Sequence, residues 1–176
     1  NMKVAKFVKN HKQSNNTNIA LVGHMGSGKS LIGKLIAKKL NRQYFESDKI
    51  IEKLTKKTIL MIFEEDGEKN FRRIEESTIM KLKNNQNIVL SLGGGSILSK
   101  KVRELLKNKF ITVFLDVDKT IITERLKKSK KRPLLINVNI ENKIKELDLI
   151  RRKYYLLADI IISKYTDIEK ILKTIL

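Results

Sequence analysis

The chain has 176 residues, 41% of them hydrophobic, and a formal net charge of +19 at pH 7. That length and apolar content are enough for one well-packed domain, and the lack of cysteine excludes disulfides and thiolate metal sites. No apolar run is long enough to span a bilayer, and residues 1–17 lack the apolar core of a signal peptide. We therefore expect a cytoplasmic protein with a flexible extension over 1–17 and a single domain over 18–176.

Short apolar segments alternate with helical periodicity along this domain. We expect strands at 19–22, 44–46, 88–92, 112–115 and 160–162. The intervening segments predict helices at 30–40, 48–55, 59–65, 68–83, 100–107, 119–127, 141–157 and 167–175. Almost wholly apolar strands are typical of a parallel sheet that is covered on both faces. The sequence therefore predicts an α/β three-layer sandwich with a five-stranded parallel sheet, whose ligands collect at the carboxyl ends of the strands.

The first strand runs directly into Gly-His-Met-Gly-Ser-Gly-Lys-Ser at 23–30. The pattern G-x-x-x-x-G-K-S is the P-loop, in which main-chain N–H groups and a helix N-terminus face phosphate oxygens. A Gly-rich turn without a ligand is the alternative, but the flanking strand and amphipathic helix favour a nucleotide site. We expect Lys29 to reach the β- and γ-phosphates of ATP and Ser30 to bind Mg²⁺. The other expected ATP-binding residues of this segment are Gly26, Ser27, Gly28 and Leu31, and His24 is interpreted as a variable loop position.

Polar or glycine residues also follow the second and third strands. Glu46 and Asp48 are the two acidic candidates here, one to face Mg²⁺ and the other to face a substrate. Asp48 is alternatively the N-cap of the next helix. The three glycines at 93–95 indicate that a ligand packs on the main chain.

The charge of +19 by itself favours a nucleic-acid binder. However, the positive residues are mostly lysines spread around every helix, and aromatic residues make up only 6% of the chain. Single-strand binders need aromatic residues alternating with basic ones. We therefore interpret the charge as a solvated lysine-rich surface, and a nucleic-acid partner is not expected.

Six motifs stand in the order found in one family. They are the P-loop, Phe45 to Asp48, Asp66 to Glu68 with Asn70 to Glu75, Leu92 to Gly95, Arg132 to Leu135, and Arg151 with Tyr155 to Asp159. Over about residues 18–170 the chain resembles the shikimate kinases. The resemblance implies a monomeric P-loop kinase of the nucleoside-monophosphate-kinase-like fold with a mobile lid. It also implies transfer of the ATP γ-phosphoryl group to the 3-hydroxyl of shikimate, towards chorismate and the aromatic amino acids.

The resemblance assigns the acceptor site to three kinds of group. Arg72 and Arg151 match the family's carboxylate-binding arginines, and Asp48 matches the aspartate that accepts hydrogen bonds from substrate hydroxyls and can take a proton. Gly94 and Gly95 would offer main-chain contacts. The alternative for Arg72 is an ion pair on its own helix with Glu75 or Glu76.

On the donor side, Arg132 matches the family's mobile arginine. The segment 127–138 is charged and is broken by Pro133, which is typical of a lid that closes over ATP; a basic loop without that role is the alternative. Arg125 stands seven residues earlier and is expected to stack on adenine, or else to pair with an acid on the helix surface.

Some positions depart from the family pattern. Glu46 replaces an aspartate, which leaves its water-mediated link to Mg²⁺ in question, Leu92 replaces a threonine, and Lys153 replaces a proline. The neighbouring Arg152 makes the alignment of Arg151 ambiguous by one residue, and Asp116 is the magnesium-binding acid that a generic P-loop protein would offer. A gluconate-kinase-like enzyme and a non-catalytic, ATP-gated nucleic-acid-binding module are the alternative functions.

Overall fold

The computed structural model describes residues 18–127, 133–163 and 173. Its strands are β1 (Asn18–Val22), β2 (Gln43–Glu46), β3 (Ile88–Ser91), β4 (Phe110–Leu115) and β5 (Ile160–Ile162). Its α-helices are α1 (Lys29–Lys39), α2 (Ser47–Thr55), α3 (Ile59–Met80), α4 (Lys100–Lys109), α5 (Lys119–Lys127) and α6 (Ile140–Tyr155). Short 3₁₀ turns lie at 81–84, 96–98 and 133–135.

All five strands belong to one parallel sheet in the order β2-β3-β1-β4-β5. The central strand β1 sets Ile19 opposite Val89 on one side and Ile111 on the other. The chain builds the sheet outward from β1 in both directions, so the crevice at the carboxyl end of β1 is the topological switch point where ligands bind in such folds. The predicted five-stranded parallel sheet is confirmed.

Successive residues of a strand face opposite sides of the sheet, and an apolar cluster covers each side. On one face, Ala20 and Val22 pack in a cluster with residues of α3, α4 and α6. On the other face, Ile19 and Leu21 pack with the buried side of α1. The two clusters make the three-layer sandwich that the sequence predicts.

Several element boundaries differ from the predicted ones for local reasons. β4 begins at Phe110, two residues early, because Phe110 pairs with Asn18 of β1. In α3 the two predicted helices meet at Gly67, whose φ of 75° and ψ of 167° break the helical path. The suggestion that Asp48 caps a helix is wrong, since α2 begins at Ser47 and its N-cap is Glu46.

Some predictions fall outside the described residues. These are the extension over 1–17, the centre of the lid segment with Arg132, and the helix over 167–175 apart from Lys173. Among the helices that the structure does describe, none has the length and apolarity needed to cross a membrane.

Candidate active site

The P-loop connects β1 to α1 at the switch point of the sheet. Gly26 has a φ of 76°, and a Cβ added there would lie 3.2 Å from Leu126 Cγ, so both conformation and space select glycine. Lys29 Nζ donates to the main-chain oxygens of Gly23 at 2.8 Å and His24 at 2.7 Å. These bonds hold the ammonium group against the loop. Gly28 is the N-cap of α1 and brings no side chain over the first N–H groups of the helix, which suits a phosphate.

A cavity of about 540 Å³ opens beside this loop. Of the residues expected to bind ATP, the cavity is lined by Gly26, Gly28, Lys29, Ser30, Leu31 and Arg125. Ser27 is instead fully buried within the loop. Arg125 reaches the loop from α5, where its Nη1 donates to the Gly26 oxygen at 3.0 Å. The structure therefore brings the predicted donor residues of the described segments together in one place.

Glu46 and Asp48 line the same cavity. β2 ends at Glu46 and α2 begins at Ser47, so the chain passes from strand to helix between these two residues. The described residues contain no group of three or more His, Cys, Asp or Glu side chains that could hold a metal ion by themselves. Mg²⁺ characteristically binds one or two protein oxygens and completes its shell with phosphates and water. The oxygens of Ser30, Glu46 and Asp48 in one cavity fit that requirement.

A smaller pocket adjoins this cavity and shares Asp48 with it. On its wall, Arg72 Nη1 donates to Glu75 Oε2 at 2.7 Å, and Glu68 receives a further bond from Arg72 Nη2 at 3.1 Å. Glu75 is 2% exposed and also accepts from Ser96 Oγ at 2.5 Å. The alternative that sequence left open for Arg72, pairing on its own helix, is thus present, and it aims the guanidinium into the pocket.

The pKa values of Glu75 and Arg72 respond differently to burial. Burial raises the pKa of Glu75 above its ordinary range, although the Arg72 charge and the Ser96 hydroxyl oppose the shift. Burial also acts against the charged form of Arg72, but the carboxylates of Glu75 and Glu68 prevail and raise the pKa of the guanidinium. Arg72 therefore stays a firm cation at the pocket wall.

Arg151 enters the same pocket from α6 and is 1% exposed. Its Nε and Nη1 atoms are buried and have no hydrogen-bond partner among the described residues. Burial lowers the pKa of this guanidinium, and the charge of Arg72 acts in the same direction, while Tyr155 opposes the shift. Two buried donors on a cation, in a pocket that a second arginine also lines, have the chemistry to bind an anion such as a carboxylate.

The neighbouring Arg152 has a different role. Its Nη1 and Nη2 donate to the two carboxylate oxygens of Asp116 at 3.0 and 2.8 Å. This bidentate pair occupies Asp116, the acid that a generic P-loop protein would offer to magnesium. Of the two adjacent arginines, it is Arg151 that lines the pocket.

Comparisons with known proteins agree with this geometry. The family model for shikimate kinase matches residues 25–176. The shikimate kinase of Actinobacillus pleuropneumoniae serotype 5b is 40% identical over 160 residues, which cover 89% of this chain and 91% of the relative.

The chain belongs to the shikimate kinase family.

Solved structures of this family superpose closely on the chain. A shikimate kinase from Acinetobacter baumannii in complex with shikimate has a TM-score of 0.86 and 35% identity, and the match covers 97% of this chain and 96% of that one. A shikimate kinase from Aquifex aeolicus has a TM-score of 0.77 and 36% identity, with 90% and 94% of the two chains covered. The protein is therefore an ATP-dependent kinase of the P-loop kinase fold.

The three glycines of this shikimate kinase site make room mainly for protein side chains. A Cβ added at Gly95 would lie 2.4 Å from Arg72 Cζ, and one at Gly93 would lie 2.5 Å from Glu75 Oε1. At Gly94 the nearest atom is Arg151 Nη1, at 3.3 Å. The turn after β3 thus makes room for the charged groups of the pocket lined by Arg72, Glu75 and Arg151, the acceptor pocket. This role adds to the main-chain contacts that the sequence predicts for the three glycines.

The contacts of His24 are not foreseen from the sequence. Its place inside the P-loop suggests a variable position, yet its side chain is 4% exposed and its Nε2 lies 2.9 Å from Asp148 Oδ1 of α6. The partners are 124 residues apart, so no local pattern could have connected them. Phe63 and Phe71 also line the acceptor pocket, with their ring centroids 4.7 Å apart.

Proposed function

We propose that this shikimate kinase transfers the γ-phosphoryl group of ATP to the 3-hydroxyl of shikimate, with the P-loop holding ATP and the two-arginine pocket holding shikimate. One observation supports the assignment of the acceptor site: Arg151, whose buried Nε and Nη1 donors have no hydrogen-bond partner in the described part of the chain, lines a pocket together with Arg72. A carboxylate is the ligand that two converging guanidinium groups fit. Shikimate carries one carboxylate, and it is the ligand with which the Acinetobacter baumannii relative was solved.

On the donor side, the loop N–H groups and the N-terminus of α1 would hold the phosphates of ATP. Lys29 would exchange its bonds to the loop oxygens for the β- and γ-phosphate oxygens and so neutralise charge on the migrating group. Arg125, which bonds to the Gly26 oxygen of the loop, would stack on adenine.

On the acceptor side, the Arg72–Glu75 pair and Arg151 would fix the carboxylate end of the substrate. Asp48 lines both the donor cavity and the acceptor pocket, so it stands at their junction. It would accept a hydrogen bond from the attacking hydroxyl and take its proton as the new O–P bond forms. The bond from the γ-phosphorus to the β,γ-bridging oxygen breaks, and ADP leaves.

Ser30, Glu46 and Asp48 are the residues that would hold Mg²⁺, directly or through water. When bound, the ion would neutralise charge on the β- and γ-phosphates. The longer side chain of Glu46, compared with the family's usual aspartate, is compatible with a water-mediated contact because Glu46 and Asp48 line one cavity.

Arg132 completes the proposal as the arginine of a lid over about 127–138. Closure would exclude water and bring its guanidinium to the transferring phosphoryl group. The substitution Arg132→Ala should therefore lower kcat by about 10²-fold or more while the KM for shikimate changes little. Steady-state kinetics test this role, and an unchanged kcat would remove it.

The function itself is tested by coupled measurement of ADP release with a panel of hydroxy acids that includes shikimate and gluconate. We expect Mg²⁺-dependent turnover well above the ATPase background with shikimate alone. Turnover with gluconate instead would support the gluconate-kinase-like alternative. Tight, steeply salt-dependent binding to DNA or RNA without turnover would support the non-catalytic alternative.

A further inference from the structure

His24 contacts two elements that belong to the two halves of the site. Its main chain is part of the P-loop, where its oxygen accepts from Lys29 Nζ at 2.7 Å. Its side chain leaves the loop and reaches α6, where Nε2 lies 2.9 Å from Asp148 Oδ1. Arg151 follows Asp148 by three residues on the same helix, so one side chain connects the donor loop to the element that carries the acceptor arginine.

The contact is buried and its geometry is fixed on several sides. His24 and Asp148 are 4% and 3% exposed. The second carboxylate oxygen of Asp148 accepts from Lys119 Nζ at 2.5 Å, and Arg152 Nη1 lies 3.7 Å from the first. A carboxylate with two neighbouring cations is ionised, so the bond to it from His24 is charge-assisted and stronger than one between neutral groups.

The ring of His24 is also held by the acceptor side. It packs edge-on against Tyr155 with the ring centroids 5.1 Å apart and an interplanar angle of 77°. The Tyr155 hydroxyl donates to the Gly94 oxygen at 2.6 Å. Gly94 in turn lies so close to the P-loop that an added Cβ would be 3.4 Å from the Gly23 oxygen. The imidazole is therefore part of a continuous set of contacts that joins the P-loop, α6 and the turn after β3.

From these contacts we infer that His24 is a positioning residue, which anchors the P-loop to α6 and so fixes the phosphate-binding groups relative to the acceptor arginine. The P-loop needs such an anchor because its backbone is unusual, with φ of 140° at Gly23 and 76° at Gly26 on either side of His24 and Met25. Glycine-rich segments lose much conformational entropy on ordering. A buried side chain bonded outside the loop offsets that cost before a nucleotide binds.

The inference rests on the proposed function only for its kinetic part. ADP binding engages the loop without any acceptor, so the affinity for ADP, measured by isothermal titration calorimetry on the full chain, tests the anchor independently. His24→Leu removes the bond but keeps an apolar side chain, and we expect ADP affinity about 5-fold lower and kcat for shikimate about 10-fold lower. His24→Gln keeps an N–H donor at a similar reach, and its ADP affinity should be within about 2-fold of the unmodified protein.

The connection through α6 is tested by Asp148→Asn, alone and combined with His24→Leu. Alone, we expect it to lower ADP affinity by about 3-fold, although residue 148 is outside the donor cavity; on top of His24→Leu it should add almost nothing. If the two substitutions instead lower ADP affinity by independent factors that multiply in the double variant, the inference is overturned. So would ADP affinity and kcat in His24→Leu equal to those of the unmodified protein, which would mean that the contact serves stability alone.

Val102→Ala serves as the control for general destabilisation. Val102 is fully buried on α4, outside the P-loop and α6. The Val102→Ala substitution should lower the melting temperature while leaving the ADP affinity and kcat of the folded protein unchanged. If the unmodified protein binds ADP but does not phosphorylate shikimate, the proposed function fails, while the ADP measurements still decide the role of His24.

Discussion

Arg72 and Arg151 approach the acceptor pocket from different elements and differ in how they are held. Arg72 is fixed by Glu75 and Glu68, whereas the Nε and Nη1 atoms of Arg151 find no partner in the described segments. We therefore expect the binding energy of an anionic substrate to be concentrated at Arg151, since a buried donor without a partner gains a full hydrogen bond on binding.

The substitution Arg151→Lys should raise the KM for shikimate by roughly 10- to 100-fold, because an ammonium group cannot make the bidentate pair that a guanidinium makes. The KM for ATP should change little. Steady-state kinetics with each substrate varied in turn measure this. Arg152→Lys is the matched control: Arg152 pairs with Asp116, so this change should leave the KM for shikimate within about 3-fold. Equal effects of the two substitutions would contradict the assignment.

The His24–Asp148 pair predicts a pH dependence of stability. Burial lowers the pKa of His24 below its ordinary value of 6.5, helped by the charges of Arg151 and Lys29, and outweighs the bond to Asp148, which raises it. The Asp148 carboxyl itself keeps a pKa below its ordinary range: burial opposes this, but its bonds to Lys119 and His24 prevail. The folded protein thus keeps a neutral imidazole while the unfolded chain binds a proton.

As the pH falls from 6.5 towards the folded pKa of His24, the unfolded state therefore gains protons and stability falls, by at most about 1.4 kcal/mol per pH unit for this one group. Urea denaturation measures this loss of stability at about pH 7.5 and about pH 5.5, two values that bracket the ordinary histidine pKa. His24→Gln should lose less free energy of unfolding over that interval. An identical pH dependence in both proteins would contradict a buried neutral His24.

Among the elements, α1 shows how closely a helix approaches the sheet below the P-loop. A Cβ added at Gly33 would lie 2.7 Å from both Ser91 Oγ and Tyr44 Cε2 and 2.9 Å from Leu21 Cδ1. In an exposed helix, replacing glycine with alanine is stabilising by roughly 1 kcal/mol. Here Gly33→Ala should instead lower the free energy of unfolding by about 1–3 kcal/mol, because it overpacks the interface.

Equilibrium urea denaturation measures this change, and Lys38→Ala on the exposed side of the same helix should stay within about 0.5 kcal/mol. Ser91 Oγ also donates to the Lys29 oxygen at 3.0 Å, so displacement of Ser91 should reach the start of α1. A stabilised Gly33→Ala protein would show that helix and sheet are less tightly packed than the contacts at Gly33 indicate.

Elements with strong periodicity could be predicted from the sequence, and contacts between distant segments could not. The sheet could be predicted from its apolar strands. The predicted break between two helical segments near Gly67 is also present, because the backbone of Gly67 leaves the helical path. The helix that starts at Ser47 was predicted one residue late, because Ser47 follows directly on the last residue of β2. His24 was missed because its partner is 124 residues away.

At the scale of the whole molecule, the charge of +19 is the least specific property of the chain. Its functional effect should be long-range attraction of anionic substrates to the cleft. Salt shortens the Debye length from about 10 Å at 0.1 M to about 3 Å at 1 M. Over that range kcat/KM for ATP should fall more than kcat does, as stopped-flow or steady-state kinetics can measure. A larger fall in kcat would contradict a steering role.

The proposed phosphoryl transfer requires that the P-loop cavity and the arginine pocket act on one pair of substrates across Asp48. The most direct test follows the γ-phosphoryl group itself, with γ-labelled ATP, Mg²⁺ and shikimate, and identifies the labelled product by ³¹P NMR and mass spectrometry. We predict that the label moves to the 3-hydroxyl of shikimate and that Asp48→Asn lowers this transfer by at least about 10²-fold. Label appearing only in inorganic phosphate, or at the same rate in the Asp48→Asn protein, would contradict the account.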